Sequence, residues 1–380
     1  MILCLLADAR SIHTLRWARH FLHAGWTVVV LSLASGEIGG VRVIELKTPP
    51  GFGKWRYCFA VPQVRRTLRE LKPDVVHAHY ISSYGLLGAL AGWRPLILSC
   101  WGSDLYEFPH RSALHKALAR YAAGKADLLV AESQRATRTL VDALGARPER
   151  IRTFSWGIDV DFFLRHDSPE LIANYRRRLG IADGTKVVVS PRGMKAVYET
   201  PTIVRAIPEV VKLHPDTVFV LLRGFGNERD EMEAMKLADK LGVRSKAIFV
   251  RTPIEPEEMR RLLKASDIVV SVPRSDDISS ALLEGMLCGP VPIASAIETN
   301  QELIEDGANG FTAPVGDAAA LAERICHVLS GLPEYKLRFG SRNRERVLSH
   351  YAWARGVQRM ESVYAEAVGN TQAACAQHAI

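Results

Sequence analysis

The chain of 380 residues has no apolar run near the roughly 18 residues that a membrane-crossing helix needs. Its opening, Met1 to Ala7, is apolar but carries no basic leader. Asp8 and Arg10 end it before a signal-peptide core forms, so it reads as a buried first strand. Six cysteines stand at 4, 58, 100, 288, 326 and 375, with no Cys-x-x-Cys pair and no neighbouring histidine cluster. That scatter argues against a metal site or a disulfide framework and for a reducing, cytoplasmic setting. The sequence has no short-period repeat and no nucleic-acid motif. Its arginines lie on helical faces without interleaved aromatics, which speaks against nucleic acid as a partner.

What is present is the composition of a globular protein, 48% hydrophobic and 24% charged, long enough for two domains. The net charge is +8 and the pI near 9.2. Much of the basic excess lies early, at Arg10, Arg16 and Arg19, then Arg56, Arg65, Arg66 and Arg69, then Arg111, Lys116 and Arg120. Such a face suits an anionic membrane surface as a peripheral contact, a phosphate-bearing substrate, or plain solvation.

Strand-like and helix-like segments alternate along both halves, which predicts an α/β chain of doubly wound parallel sheets. Strands are expected at Ile2 to Ala7, Val28 to Leu33, Val41 to Leu46, Asp74 to His77, Leu96 to Cys100, Asp127 to Ala131 and Ile151 to Phe154. A Pro/Gly-rich loop is expected from Thr48 to Lys54. After a break near 157–185, strands resume at Lys186 to Ser190, Thr217 to Leu222, Ala247 to Val250, Asp267 to Val272 and Val291 to Ala294. Helices are expected near 83–91, 133–144 and 298–305, a turn at Gly307 to Phe311, and a mobile polar tail from Gly369. The resulting division is 1–165, 166–350 and a C-terminal segment 351–380. Asp159 and Asp161, in the break, read as a structural turn rather than an Asp-x-Asp metal site.

The stretch Arg274 to Pro290 organises the second half. Leu282, Leu283, Met286 and Leu287 recur at helical spacing, Ser279 or Ser280 caps the start, and Gly289-Pro290 ends it. Glu284 then shares the other face with Ser280, Ala281, Gly285 and Cys288, small neighbours that leave room for a ligand. The acid at Asp276, seven intervening residues, Glu284, and the run Gly285-Met286-Leu287-Cys288-Gly289-Pro290-Val291 resemble the signature of the retaining glycosyltransferase family four. The family usually has Glu where Asp276 stands. The segment Gly157 to Phe163 is similar to the family's link between domains.

That resemblance implies the GT-B fold, two Rossmann-like doubly wound parallel-sheet domains facing across a cleft, with the last helix crossing back to the first domain. It also implies a transferase that uses a nucleotide diphosphate sugar, of UDP or GDP type, as co-substrate, with no cofactor and no metal. Arg192 and Lys195, in Pro191-Arg192-Gly193-Met194-Lys195 after a strand, resemble the family's phosphate-holding Arg and Lys, two residues closer together than usual. With Glu284 they are the expected catalytic set. Donor contacts are expected from Asp276, Ile278, Ser279, Ser280, Gly193, Gly224, Gly226 and Ser11. Val250 to Ile254 flanks the base without a residue that tells uracil from guanine. The acceptor side is assigned to His13, His79, Trp101 and Asp104, where Trp101 stands in place of a familiar His.

In such enzymes the leaving phosphate is thought to deprotonate the incoming hydroxyl on the same face, so stabilising charge on the leaving group carries most of the catalysis. The expected acceptor is a hydroxyl on a sugar, glycolipid or small molecule, in envelope polysaccharide or glycoconjugate synthesis. Two other readings keep the fold: a nucleotide-sugar epimerase or phosphorylase, and a non-catalytic nucleotide-sugar-binding protein.

Overall fold

Alternating apolar residues dictate two sheets, each covered on both faces. In the computed structural model, which describes residues 1–49, 56–224 and 226–377, the chain forms two units. Met1–Ser155 with Val357–Ile380 makes the first and Trp156–Gly356 the second. The division falls ten residues before the expected one at 165/166. The backbone explains it: Ile158 bridges Ala352 and Phe163 packs in the second unit's core, so the chain from Trp156 onward is fastened to the second sheet. Asp159 caps the short Val160–Leu164 helix by accepting from Phe162 N at 3.0 Å.

The first unit's strands are β1 (Ile2–Leu6), β2 (Thr27–Ser32), β3 (Arg42–Glu45), β4 (Val75–His79), β5 (Leu96–Ser99), β6 (Leu128–Ala131) and β7 (Ile151–Thr153). All pair in parallel, in the order β3-β2-β1-β4-β5-β6-β7. Period-two alternation splits their side chains between the faces. Cys4 and Leu6 join the core beneath Arg56–Leu71, Gly85–Ala91 and Ala113–Lys125, whereas Leu3 and Leu5 are buried outside that cluster. Phe21 of the Ile12–His23 helix meets Tyr364 of the last helix at 5.1 Å between ring centroids.

The second unit's strands are β8 (Lys186–Ser190), β9 (Thr217–Leu222), β10 (Ala247–Val250), β11 (Ile268–Ser271), β12 (Val291–Ser295) and β13 (Phe311–Ala313), again all parallel, in the order β10-β9-β8-β11-β12-β13. Val188, Ile268 and Val270 face one core with the Thr200–Leu213 and Ala318–Ser330 helices. Val187, Val189 and Val269 face the other with Leu263, Leu283 and Met286.

Several expectations are corrected. The Gly307–Phe311 turn ends in a sixth strand, β13, because Phe311 is an inward residue packed against Tyr335 and Phe339. The helix near 298–305 stops at Gln301, where Asn309 takes over the next backbone groups: it accepts from Glu305 N and donates to Leu303 O. The helix expected near 83–91 is present as Gly85–Ala91, preceded by a wide turn at Tyr80–Tyr84, whereas that near 133–144 is helical over Gln134–Arg138 and continues as a wide turn, Thr139–Ala143. The last helix runs Trp353–Gln377, past Gly369, the expected start of the polar tail. Of the Thr48–Lys54 loop, all but the first two residues lie outside the described residues.

Candidate functional site

In a doubly wound sheet, ligands bind beyond the carboxyl ends of the strands, where the strand order reverses. The second unit reverses between β8 and β11. Arg192 follows β8 and the stretch Asp276 to Ser280 follows β11, so sequence places both beside that crevice. The fold joins them: Arg192 Nη2 lies 2.8 Å from Asp276 Oδ2, and its Nη1 donates to Ser279 Oγ at 2.9 Å. The guanidinium also covers the Tyr198 ring at 4.2 Å. Three partners therefore hold one cation still, with only 14% of its side chain exposed. Burial pushes the Asp276 carboxyl up from its ordinary range, and Arg192 opposes that shift.

Ser279, not Ser280, caps the Ser280–Cys288 helix, accepting from Leu282 N at 3.3 Å. Arg192 thus sits at the positive end of that helix, and both favour an anion there. Ile278 is buried beneath the turn, and Ser280 opens the helix half-exposed. Glu284 is half-buried and lies five residues beyond the cap, about 7.5 Å along the axis. Gly285 does not share its open face: a Cβ there would come within 2.8 Å of Val269, so this glycine seats the helix on β11. Lys195 is solvent-exposed and makes no ion pair among the described residues.

The glycines after β8 and β9 serve each other before any ligand. A Cβ on Gly224 would lie 3.3 Å from Gly193 Cα, and one on Gly226 would lie 2.3 Å from Met194 O. Close backbone approach, expected for a nucleotide, is here already used to dock the two loops.

Sequence reasoning missed a second anchored pair on the same edge. Arg223 follows β9 and Arg251 follows β10, and both meet Glu231, whose side chain is fully buried. Arg251 Nε donates to Glu231 Oε1 at 2.8 Å, and Arg223 Nη1 lies 3.5 Å from Oε2. The signal was available: Glu231 shares the buried face of its helix with Ala234 and Ala238, an acid at an apolar position.

The first unit reverses between β1 and β4. Ser11 stands at the start of the Ile12–His23 helix, but its side chain makes no cap hydrogen bond. His77 and His79 lie inside β4, not after it, and are buried. His77 bonds Tyr364 Oη and Ser99 Oγ, each at 2.6 Å. His13 and His79 bring their rings to 4.6 and 5.2 Å from Trp101, and Tyr80 stacks on it at 5.6 Å. Burial drives the histidines towards neutrality, His13 to about 4, His77 to about 3, and His79 well down. Asp104 is not open to an acceptor. It is 2% exposed and accepts from Ile81 N at 2.6 Å and Trp101 N at 2.8 Å, tying the loops after β4 and β5. Burial raises its carboxyl to about 6.

Among the described residues no three His, Cys, Asp or Glu side chains cluster as a metal site, and no helix is long and apolar enough to cross a membrane. The glycosyl transferase 4-like family model matches residues 2–133, and the model of glycosyl transferases group 1 matches residues 172–346. A D-inositol 3-phosphate glycosyltransferase of Acidothermus cellulolyticus is 28% identical over 80% of this chain and 69% of its own. The N-acetyl-alpha-D-glucosaminyl L-malate synthase of Bacillus anthracis is 22% identical over 77% and 74%. Among solved structures, Anabaena HepE in complex with UDP and glucose superposes with a TM-score of 0.82 at 20% identity, covering 96% of this chain and all of that one.

Proposed function

The chain belongs to glycosyltransferase family four, an enzyme that transfers sugars, and we propose that it does so with retention and without a metal, from a nucleoside-diphosphate sugar to a hydroxyl acceptor. One observation carries the reading. At the reversal point of the second sheet, Asp276, Ser279 and Tyr198 fix Arg192 at the amino end of the helix that bears Glu284.

Arg192 and Lys195 would neutralise the diphosphate. As the bond from the sugar's anomeric carbon to the β-phosphate oxygen breaks, the charge grows on that oxygen, beside a guanidinium that needs no reorganisation. The acceptor oxygen bonds the anomeric carbon on the same face and its proton passes to the departing phosphate. Glu284, with Ser280 one turn before it, would anchor hydroxyls of the donor, and Trp101 with His13 would meet the acceptor. HepE's complex with UDP and glucose supports a nucleotide-sugar donor. The relatives named for D-inositol 3-phosphate and L-malate support small hydroxylated acceptors as the first to try in glycoconjugate synthesis.

The test is nucleotide release from UDP- and GDP-sugars with and without acceptor, followed by assignment of the product anomer. Release that depends on acceptor, keeps the donor's anomeric configuration, survives chelation and collapses in Arg192→Ala supports the proposal. An inverted product, or a donor epimerised without acceptor, refutes it.

A further inference from the structure

We propose that Arg251, held by Glu231, reads the nucleobase of the donor and that the base it fits is guanine, so that the stretch Val250 to Ile254 does hold a discriminating residue, contrary to the expectation from sequence. This rests on the reading that a nucleoside diphosphate lies along the carboxyl edge of the second sheet.

Arg192, Arg223 and Arg251 follow β8, β9 and β10, three neighbouring parallel strands. Two strand spacings, about 10 Å, separate the first from the last, the span of a nucleotide from its diphosphate to its base. With the diphosphate at Arg192, the base comes to Arg251. Glu231 uses one oxygen for Arg251 Nε and turns the other to Arg223, so a buried carboxylate fixes the plane of the outer guanidinium. The side chain is still 62% exposed, and among the described residues its two terminal nitrogens have no partner. A planar pair of donors matches two adjacent acceptors. Guanine offers O6 and N7 side by side; adenine sets a donor beside N7, and uracil sets its N3–H beside O4. The geometry therefore favours guanine and penalises the other two.

Titration calorimetry of the full chain with GDP, UDP, ADP and inorganic pyrophosphate tests this, in wild type, Arg251→Ala and Arg251→Gln. The expected result is GDP bound about tenfold tighter than UDP or ADP, a preference that both variants erase while pyrophosphate binds as before. UDP bound as tightly as GDP by the wild type overturns the assignment. So does an equal loss for every nucleotide and for pyrophosphate in Arg251→Ala, which would make Arg251 a phosphate contact. Wild type that binds no nucleotide refutes the donor reading itself, and this inference with it.

Discussion

The two sheets reverse their strand order at the same place in their sequence of strands, yet the side chains beyond those points are opposite in character. In the second unit the edge carries Arg192, Arg223 and Arg251, each fastened to a carboxylate. In the first unit it carries Trp101, Tyr80 and histidines that burial keeps neutral, with Asp104 spent on backbone amides. One topology thus supports a pre-aligned edge of arginines, suited to a diphosphate, and a mainly aromatic one, where Asp8 and Arg10 past β1 pair with each other, suited to a hydroxylated acceptor. The lesson is that the fold supplies the crevice and the residues just past each strand decide its chemistry.

The largest effect is expected on the cationic edge. Arg192→Ala removes the charge facing the leaving group and should cut kcat about 100- to 1000-fold, measured by nucleotide release. A loss below tenfold would move the leaving-group charge elsewhere.

Acid should separate the units. His13, His77 and His79 have folded values below the ordinary 6.5, so their contribution is complete above 6.5 and is lost as pH falls towards 4. Asp104, raised to about 6, runs the other way: its contribution is present below the ordinary 3.8 and lost as pH rises through 6. Three groups against one leave the first unit weaker at pH 5 than at pH 7. In the second unit, Arg260 and Lys264 hold the Asp167 carboxyl well below its ordinary 3.8, so that contribution persists until pH falls past that value; Asp276, raised by burial, opposes it. Hydrogen exchange across pH 4 to 7 should show first-unit strands losing protection before those of the second. Simultaneous loss would deny the contrast.

Gly226→Ala drives a methyl into Met194 O and should cost the second unit about 2 kcal/mol or more, read from its unfolding midpoint. Trp101→Ala should produce the smallest change, a rise of about fivefold in the acceptor KM with kcat nearly kept.

Most strands and helices were legible because each is an apolar run or a helical stripe bounded by Gly, Pro or Ser, as with Ser279 and Gly289-Pro290. β13 was not, since only three residues form it and just two of them, Phe311 and Ala313, are buried. At the site, Arg192 was readable from its place after β8, whereas its tie to Ser279, 87 positions away, comes only from the sheet order. Gly285 and Gly226 looked like room for a ligand, because sequence does not show which backbone a small residue approaches. The Glu231 cradle needed two arginines 28 positions apart to be brought together by β9 and β10.

The central claim is that the second sheet's edge holds the nucleotide through Arg192. Calorimetric binding of a nucleoside diphosphate to wild type, Arg192→Ala and Trp101→Ala tests it most directly. The account predicts affinity lowered about tenfold or more by Arg192→Ala and unchanged by Trp101→Ala. Undiminished binding by Arg192→Ala, or lost binding in Trp101→Ala, would contradict it.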